Sequence, residues 1–151
     1  MARLEWRAFF LALISSWANP AFSSSSWEVC ETCELRSIQS AVSRAEPGDL
    51  ITVRGGIYRE TDIVVNKPLR LIAEPGKGAV VVDAEGKRNI FLVKASNVEI
   101  SGFTLRGSGA SYTEEFAAIK ASGVKDCHFT KNTLEKNIYG IYLAEVRNCF
   151  I

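Results

Sequence analysis

Apolar positions fall into two regimes along the chain. Leu35, Ile38, Ala41, Val42 and Ala45 recur at helical spacing and predict a short amphipathic helix over 35–45, stopped by Pro47-Gly48. Beyond it the pattern changes to short β-branched runs: 50–53, 63–65, 69–72, 80–82, 90–93 and 98–100. Gly55-Gly56, Asn66-Lys67-Pro68, Pro75-Gly76 and Glu85-Gly86 punctuate them as turns. No second helix-length periodic segment follows, so alternating strand–helix units do not fit.

The runs also repeat. Lys94-Ala95-Ser96-Asn97-Val98 recurs as Lys120-Ala121-Ser122-Gly123-Val124, and Phe103-Thr104 as Phe129-Thr130, at an offset of 26. At an offset of 22, Ile119 maps to Ile141, Val124 to Val146 and Cys127 to Cys149. Repeats of this length in a strand-rich chain predict a solenoid with one turn per repeat. One turn cannot bury its inward side chains alone. Stacking at about 4.8 Å per turn pairs each strand with the next and superposes like side chains. A sandwich would need regular hairpins, a propeller a longer repeat, and a leucine-rich repeat a fixed Leu/Asn pattern; none is present. The expected fold is all-β, a right-handed single-stranded parallel β-helix. The helix at 35–45 is expected to cap its first coil, with Ile38 and Val42 facing the core.

The N-terminus reads as an address. Arg3 and Arg7 precede the apolar stretch 8–14, and Ser16-Trp17-Ala18 supplies small residues for cleavage, so residues 1–18 are expected to be a secretory signal peptide and the protein periplasmic. Residues 19–34 then form a flexible spacer, with a Ser run at 23–26 and a Cys30-Glu31-Thr32-Cys33 motif; the β-helix domain spans 35–151. The Cys pair reads first as a local disulfide and second as part of a metal site, since two Cys do not complete a four-ligand set. With 151 residues, 47% hydrophobic and 23% charged, the chain has globular composition and room for about one domain. Its 18 basic and 17 acidic side chains argue against a broad nucleic-acid surface. No apolar run is long enough to span a membrane.

Segments 48–60 (GDLITVRGGIYRE), 66–74 (NKPLRLIAE), 97–105 (NVEISGFTL) and 139–143 (YGIYL) resemble the opening coils of the NosD family. NosD proteins are exported, pectin-lyase-like β-helix proteins related to carbohydrate-binding and sugar-hydrolysis repeat domains. The resemblance spans about 35–151. It implies a non-enzymatic accessory role in copper-centre maturation of nitrous-oxide reductase. The implied partners are the permease and ATPase of an ABC transporter, together with a copper chaperone or the reductase. Ala84 stands where the family usually has Gly, which affects a local turn. Family members are several hundred residues long, so this chain is expected to be the N-terminal portion of a longer protein. The alternative is a carbohydrate-binding, polysaccharide lyase or epimerase-type β-helix with its active coils beyond residue 151.

Candidate chemistry within these coils is sparse. Copper(I) favours Met, Cys and His, yet the only Met is Met1 and the only His is His128. Cys127 and His128 are neighbours on a strand and point to opposite faces. Cys127 and Cys149 read as stacked interior side chains, close enough for a disulfide to be geometrically conceivable. Cys30, Cys33 and His128 are the weak metal candidates; copper enters only through the family role, and no catalytic or cofactor-binding residue is assigned. Asp49 and Asp62 fit turn capping, and Asp83 and Asp126 are scattered with them. Glu114-Glu115 and Tyr112 lie in a longer excursion, 107–116, where Tyr112 is placed to stack on a sugar or partner. Arg54, Arg59, Lys67 and Arg70 read as a solvated face rather than an anion site.

Overall fold

A computed structural model describes residues 24–111 and 113–151. The expected signal peptide 1–18, the start of the spacer and Tyr112 lie outside the described residues. Thirteen strands and one helix follow one another in a repeating circuit. Sheet A contains β1 (Ser26–Val29), β2 (Leu50–Val53), β5 (Arg70–Ala73), β8 (Glu99–Ser101) and β11 (His128–Thr130). Sheet B contains β3 (Gly56–Tyr58), β6 (Val80–Asp83), β9 (Thr104–Arg106) and β12 (Thr133–Glu135). Sheet C contains β4 (Ile63–Val65), β7 (Phe91–Val93), β10 (Ala117–Ser122) and β13 (Tyr139–Ala144). The chain visits A, B and C in turn and then starts the next coil. Every strand pair is parallel, so this is a parallel β-helix.

The interior consists of aligned columns. In sheet A, Trp27, Ile51, Leu71, Ile100 and Phe129 stand over one another. Sheet C stacks Ile63, Phe91, Ile119 and Ile141. Sheet B stacks Tyr58, Val82, Leu105 and Leu134. Alternation along each short strand sends the intervening residues outward, as in the buried–intermediate pattern of Leu50–Val53. Each fully buried Ile, Leu or Phe contributes roughly 2 kcal/mol relative to exposure.

Pairing follows the 22-residue offset and corrects the 26-residue one. Ile119 pairs with Ile141, while Lys120 lies beside Leu92 and not Lys94. Phe129 stands over Ile100, and Thr104 pairs with Thr133. Coil length therefore varies: Leu50 to Arg70 is 20 residues, Arg70 to Glu99 is 29 and Ile119 to Ile141 is 22. The corners absorb the difference. Polar residues adopt left-handed conformations there, including Asp62, Glu85, Asn97, Asp126 and Asn148. Asn side chains brace adjacent coils at the same corners. Asn132 accepts from Phe103 N–H at 3.0 Å and donates to the Ile100 carbonyl at 2.9 Å.

The N-terminal end differs from the expected spacer. Ser26–Val29 is paired strand in register with Leu50–Val53, so ordered structure begins ahead of residue 35. Trp27 and Val29 supply apolar side chains on alternate positions, which a polar Ser run just before them disguises. The helix α1 (Ile38–Arg44) buries Ile38, Ala41 and Val42 as expected, but it follows the first strand rather than preceding it. It packs on β1, β2 and β4. Gln39 Oε1 accepts from Val64 N–H at 2.9 Å, satisfying an edge donor of β4. Glu60 accepts from the N–H groups of Ile38 (2.7 Å) and Gln39 (2.9 Å), and Lys67 donates to the Ser43 and Ala45 carbonyls. Both helix ends are thereby tied to the solenoid.

Asp49 joins these parts at the base. It is 2% exposed. Its carboxylate accepts from Ser25 N–H (2.7 Å), Trp27 Nε1 (2.8 Å) and Glu46 N–H (2.9 Å). Burial alone would raise its pKa; the bonds from Trp27, Glu46 and Ser25, with the charge of Lys67, outweigh that and hold the carboxyl below its ordinary value.

Candidate functional site

Cys30 and Cys33 form a disulfide, the local bridge that their spacing suggested first, closing a small loop between β1 and α1. In that form neither supplies a thiolate. His128 is exposed and stacks on Phe150 with centroids 5.0 Å apart. Among the described residues no group of three or more His, Cys, Asp or Glu side chains is placed to hold a metal ion. Cys127 is fully buried and Cys149 partly so; both are free. The basic residues at 54–70 are engaged. Arg54 pairs with Glu28 at 2.6 Å, Arg70 with Glu99 at 2.7 Å and Arg59 with Glu85 at 3.6 Å. Asp62 pairs with Arg88 and Asp83 with Arg106, so these acids also act within the scaffold.

Aromatic and polar side chains converge elsewhere, along β10 and β13 and the acids that precede β10. These are the longest strands, six residues each, paired from Ala117–Tyr139 to Ser122–Ala144. Two Asn residues fix the stem of the excursion. Asn137 Oδ1 accepts from Ser108 N–H at 2.9 Å while its Nδ2 donates to the Leu105 carbonyl at 3.0 Å. Asn89 Oδ1 accepts from Ala117 N–H at 3.0 Å where the chain returns. Gly109 passes so close that a Cβ would lie 2.4 Å from the Phe116 ring and 2.6 Å from the Lys87 carbonyl oxygen. Phe116 in turn lies under the Arg88 guanidinium, 6.0 Å from its ring centroid.

This anchoring places the excursion's acids against the sheet. Lys120 Nζ donates to the Glu114 carbonyl at 3.2 Å, lies 3.5 Å from Glu115 Oε2 and sits 5.0 Å from the Tyr142 ring centroid. Tyr139 and Tyr142 meet edge to face with centroids 5.8 Å apart. The Tyr142 phenol is raised above its ordinary pKa, first by its hydrogen bond with Glu115 and then by burial and the Glu115 charge. The patch thus offers two amphipathic rings, a carboxylate acceptor and an ammonium donor, an inventory suited to a hydroxylated ligand. The expectation had placed Tyr112 and Glu114-Glu115 in this excursion. It did not single out Tyr139, Tyr142 and Lys120, although the 22-residue step read from the sequence already sets Lys120 beside Tyr142.

Surface clefts lie elsewhere on the coils. One of about 450 Å³ lies between Glu31, Arg36 and the edge of β3, where Tyr58 and Glu60 line it. Another of about 330 Å³ is lined by Ala73, Glu74, Ser101, Gly102 and Lys131. The Tyr58 hydroxyl donates to the Arg54 carbonyl at 2.8 Å, and burial, then Glu60 and Glu31, raise its pKa.

Comparison with solved structures gives a match to a pectin methylesterase mutant crystallised with a hexasaccharide, with TM-score 0.56 and 15% identity over 82% of this chain. The shared fold is the pectin-lyase-like parallel β-helix. This chain spans 49% of the length of that protein. No family model matches, and no curated protein matches. The likeness establishes the pectin-lyase-like β-helix and goes no further: a NosD membership is not shown. Against the expectation of a non-enzymatic scaffold stands the matched protein itself, which is an enzyme, a pectin methylesterase. A rigid stack of coils is as serviceable for aligning a polymeric substrate as for docking a protein.

Proposed function

We propose that the chain is part of an exported, carbohydrate-directed β-helix protein, with the β10–β13 face as its glycan platform. The observation that carries the reading is the anchored cluster of Tyr139, Tyr142, Lys120 and Glu115. Tyr rings offer apolar faces to the C–H faces of a sugar ring, while Glu115 and Lys120 answer its hydroxyls. The solved neighbour, a pectin methylesterase bound to a hexasaccharide, supports the same ligand class. The Cys30–Cys33 disulfide supports maturation in an oxidising compartment. The copper-maturation role implied by the NosD resemblance gains no ligand set among the described residues.

Titration of the chain with pectin fragments and with neutral oligosaccharides, followed by calorimetry and by amide shifts of residues 115–122 and 139–144, tests the proposal. Tyr142→Ala is expected to weaken binding about tenfold while leaving the far-ultraviolet spectrum unchanged. Absence of binding across the panel, or equal affinity in the variant, would refute this assignment of the face.

A further inference from the structure

The corner following β10 brings two thiols together. Lys125 bridges Arg147 and His128 bridges Phe150, both parallel, so Cys127 lies directly beside Cys149 one coil on. Backbone bonds hold that register: Phe150 N–H donates to the Cys127 carbonyl at 2.9 Å and Phe129 N–H to the Phe150 carbonyl at 2.8 Å. Neighbouring parallel strands lie about 4.8 Å apart, within the Cα separation a disulfide accepts. Both side chains continue the column of Leu69 and Val98, and Cys149 packs against the buried cluster containing Cys127. The Cys127 thiol is raised above its ordinary pKa, first by burial, with the Cys149 sulfur adding to it.

We propose that Cys127 and Cys149 form a second, cross-coil disulfide when the protein meets a disulfide oxidant. This inference stands apart from the carbohydrate reading. The fully buried Cys127 cannot meet an external oxidant, so Cys149 reacts first. Its thiolate attacks one sulfur of the oxidant, forming a mixed disulfide and expelling one thiolate. The Cys127 thiolate then attacks Cys149 Sγ, forming the intramolecular S–S bond and expelling the second. Two electrons pass to the oxidant, and the two protons given up by Cys149 and Cys127 end on the two expelled thiolates, which leave as thiols. Both steps use a thiolate, so the exchange as a whole runs faster as pH rises.

The test is to incubate the full chain with oxidised glutathione, quench with acid, and map peptides before and after reduction. The expected result is a Cys127–Cys149 linked peptide beside the Cys30–Cys33 one, with no free thiol after denaturation. The bridged form should melt about 10 °C above one in which only this bridge is open. Cys127→Ala should leave Cys149 as a stable glutathione adduct, and Cys149→Ala should leave Cys127 unmodified in the folded chain. Two free thiols persisting under oxidant beside an intact Cys30–Cys33 bridge would overturn the proposal. So would glutathione capping of Cys127 in folded Cys149→Ala, by showing that Cys127 reaches oxidant unaided.

Discussion

Replacing Asp49 by Ala removes the acceptor that joins β1, α1 and β2. Three donors lose their partner: Ser25 N–H, Glu46 N–H and the Trp27 indole. A hydrogen bond to a charged group contributes roughly 1.5–3 kcal/mol, and bonds sharing one acceptor are less than additive, so the expected loss is about 4 kcal/mol. For a chain of this length that lowers the melting temperature by about 10 °C. Asp49→Asn should cost about half as much, because its amide NH₂ opposes one set of donors. The assay is urea unfolding by circular dichroism, with hydrogen exchange reporting the amides of Ser26–Val29, which should lose protection first. Acid gives the second signature. The folded carboxyl titrates below its ordinary value of 3.8, so its contribution is complete above that pH and fades as pH falls through the lowered folded value. The gap between wild type and Asp49→Ala should therefore hold from pH 7 to about 5 and narrow towards pH 3. Equal midpoints at pH 7, unchanged protection in β1, or a gap that widens on acidification would refute this account.

Other substitutions probe the remaining parts. Ile38→Asp places a carboxylate where the side chain is fully buried on the helix, and should cost at least 4 kcal/mol by denaturant titration. Gly55→Ala puts a Cβ 2.5 Å from the Lys77 carbonyl oxygen, and the resulting backbone shift should cost about 2 kcal/mol by thermal melting. Asn137→Ala frees the excursion stem and leaves Ser108 N–H unpaired. Proteolysis of the 107–116 segment should then speed up several-fold, while the melting temperature falls only a few degrees.

The solenoid was legible because its signal is coarse. Short β-branched runs bounded by Gly, Pro and Asn, followed by the Ile119–Ile141 and Cys127–Cys149 correspondences, need no knowledge of exact coil length. Register was less legible. The matching strings Lys94–Val98 and Lys120–Val124 suggest a step of 26, yet pairing sets Val93 beside Ala121, because corner insertions are silent in side-chain type. Strand β3 was hidden for a related reason: Gly55-Gly56 reads as a turn, while the second Gly opens a strand paired to Val80. The candidate site was not legible even where the step of 22 was right. Tyr142 becomes meaningful only when it lies beside Lys120, and nothing local in 139–144 announces a partner on another coil.

Coils of 28 and 22 residues meet in sheet C with no break in pairing between β7, β10 and β13. Length is thus a free variable of the corners, and the interior does not register it. What projects above the tyrosines can be lengthened, shortened or exchanged wholesale without renegotiating the fold. A lineage built on such a plan can change its ligands by editing overhangs, much as a key blank is recut along one edge.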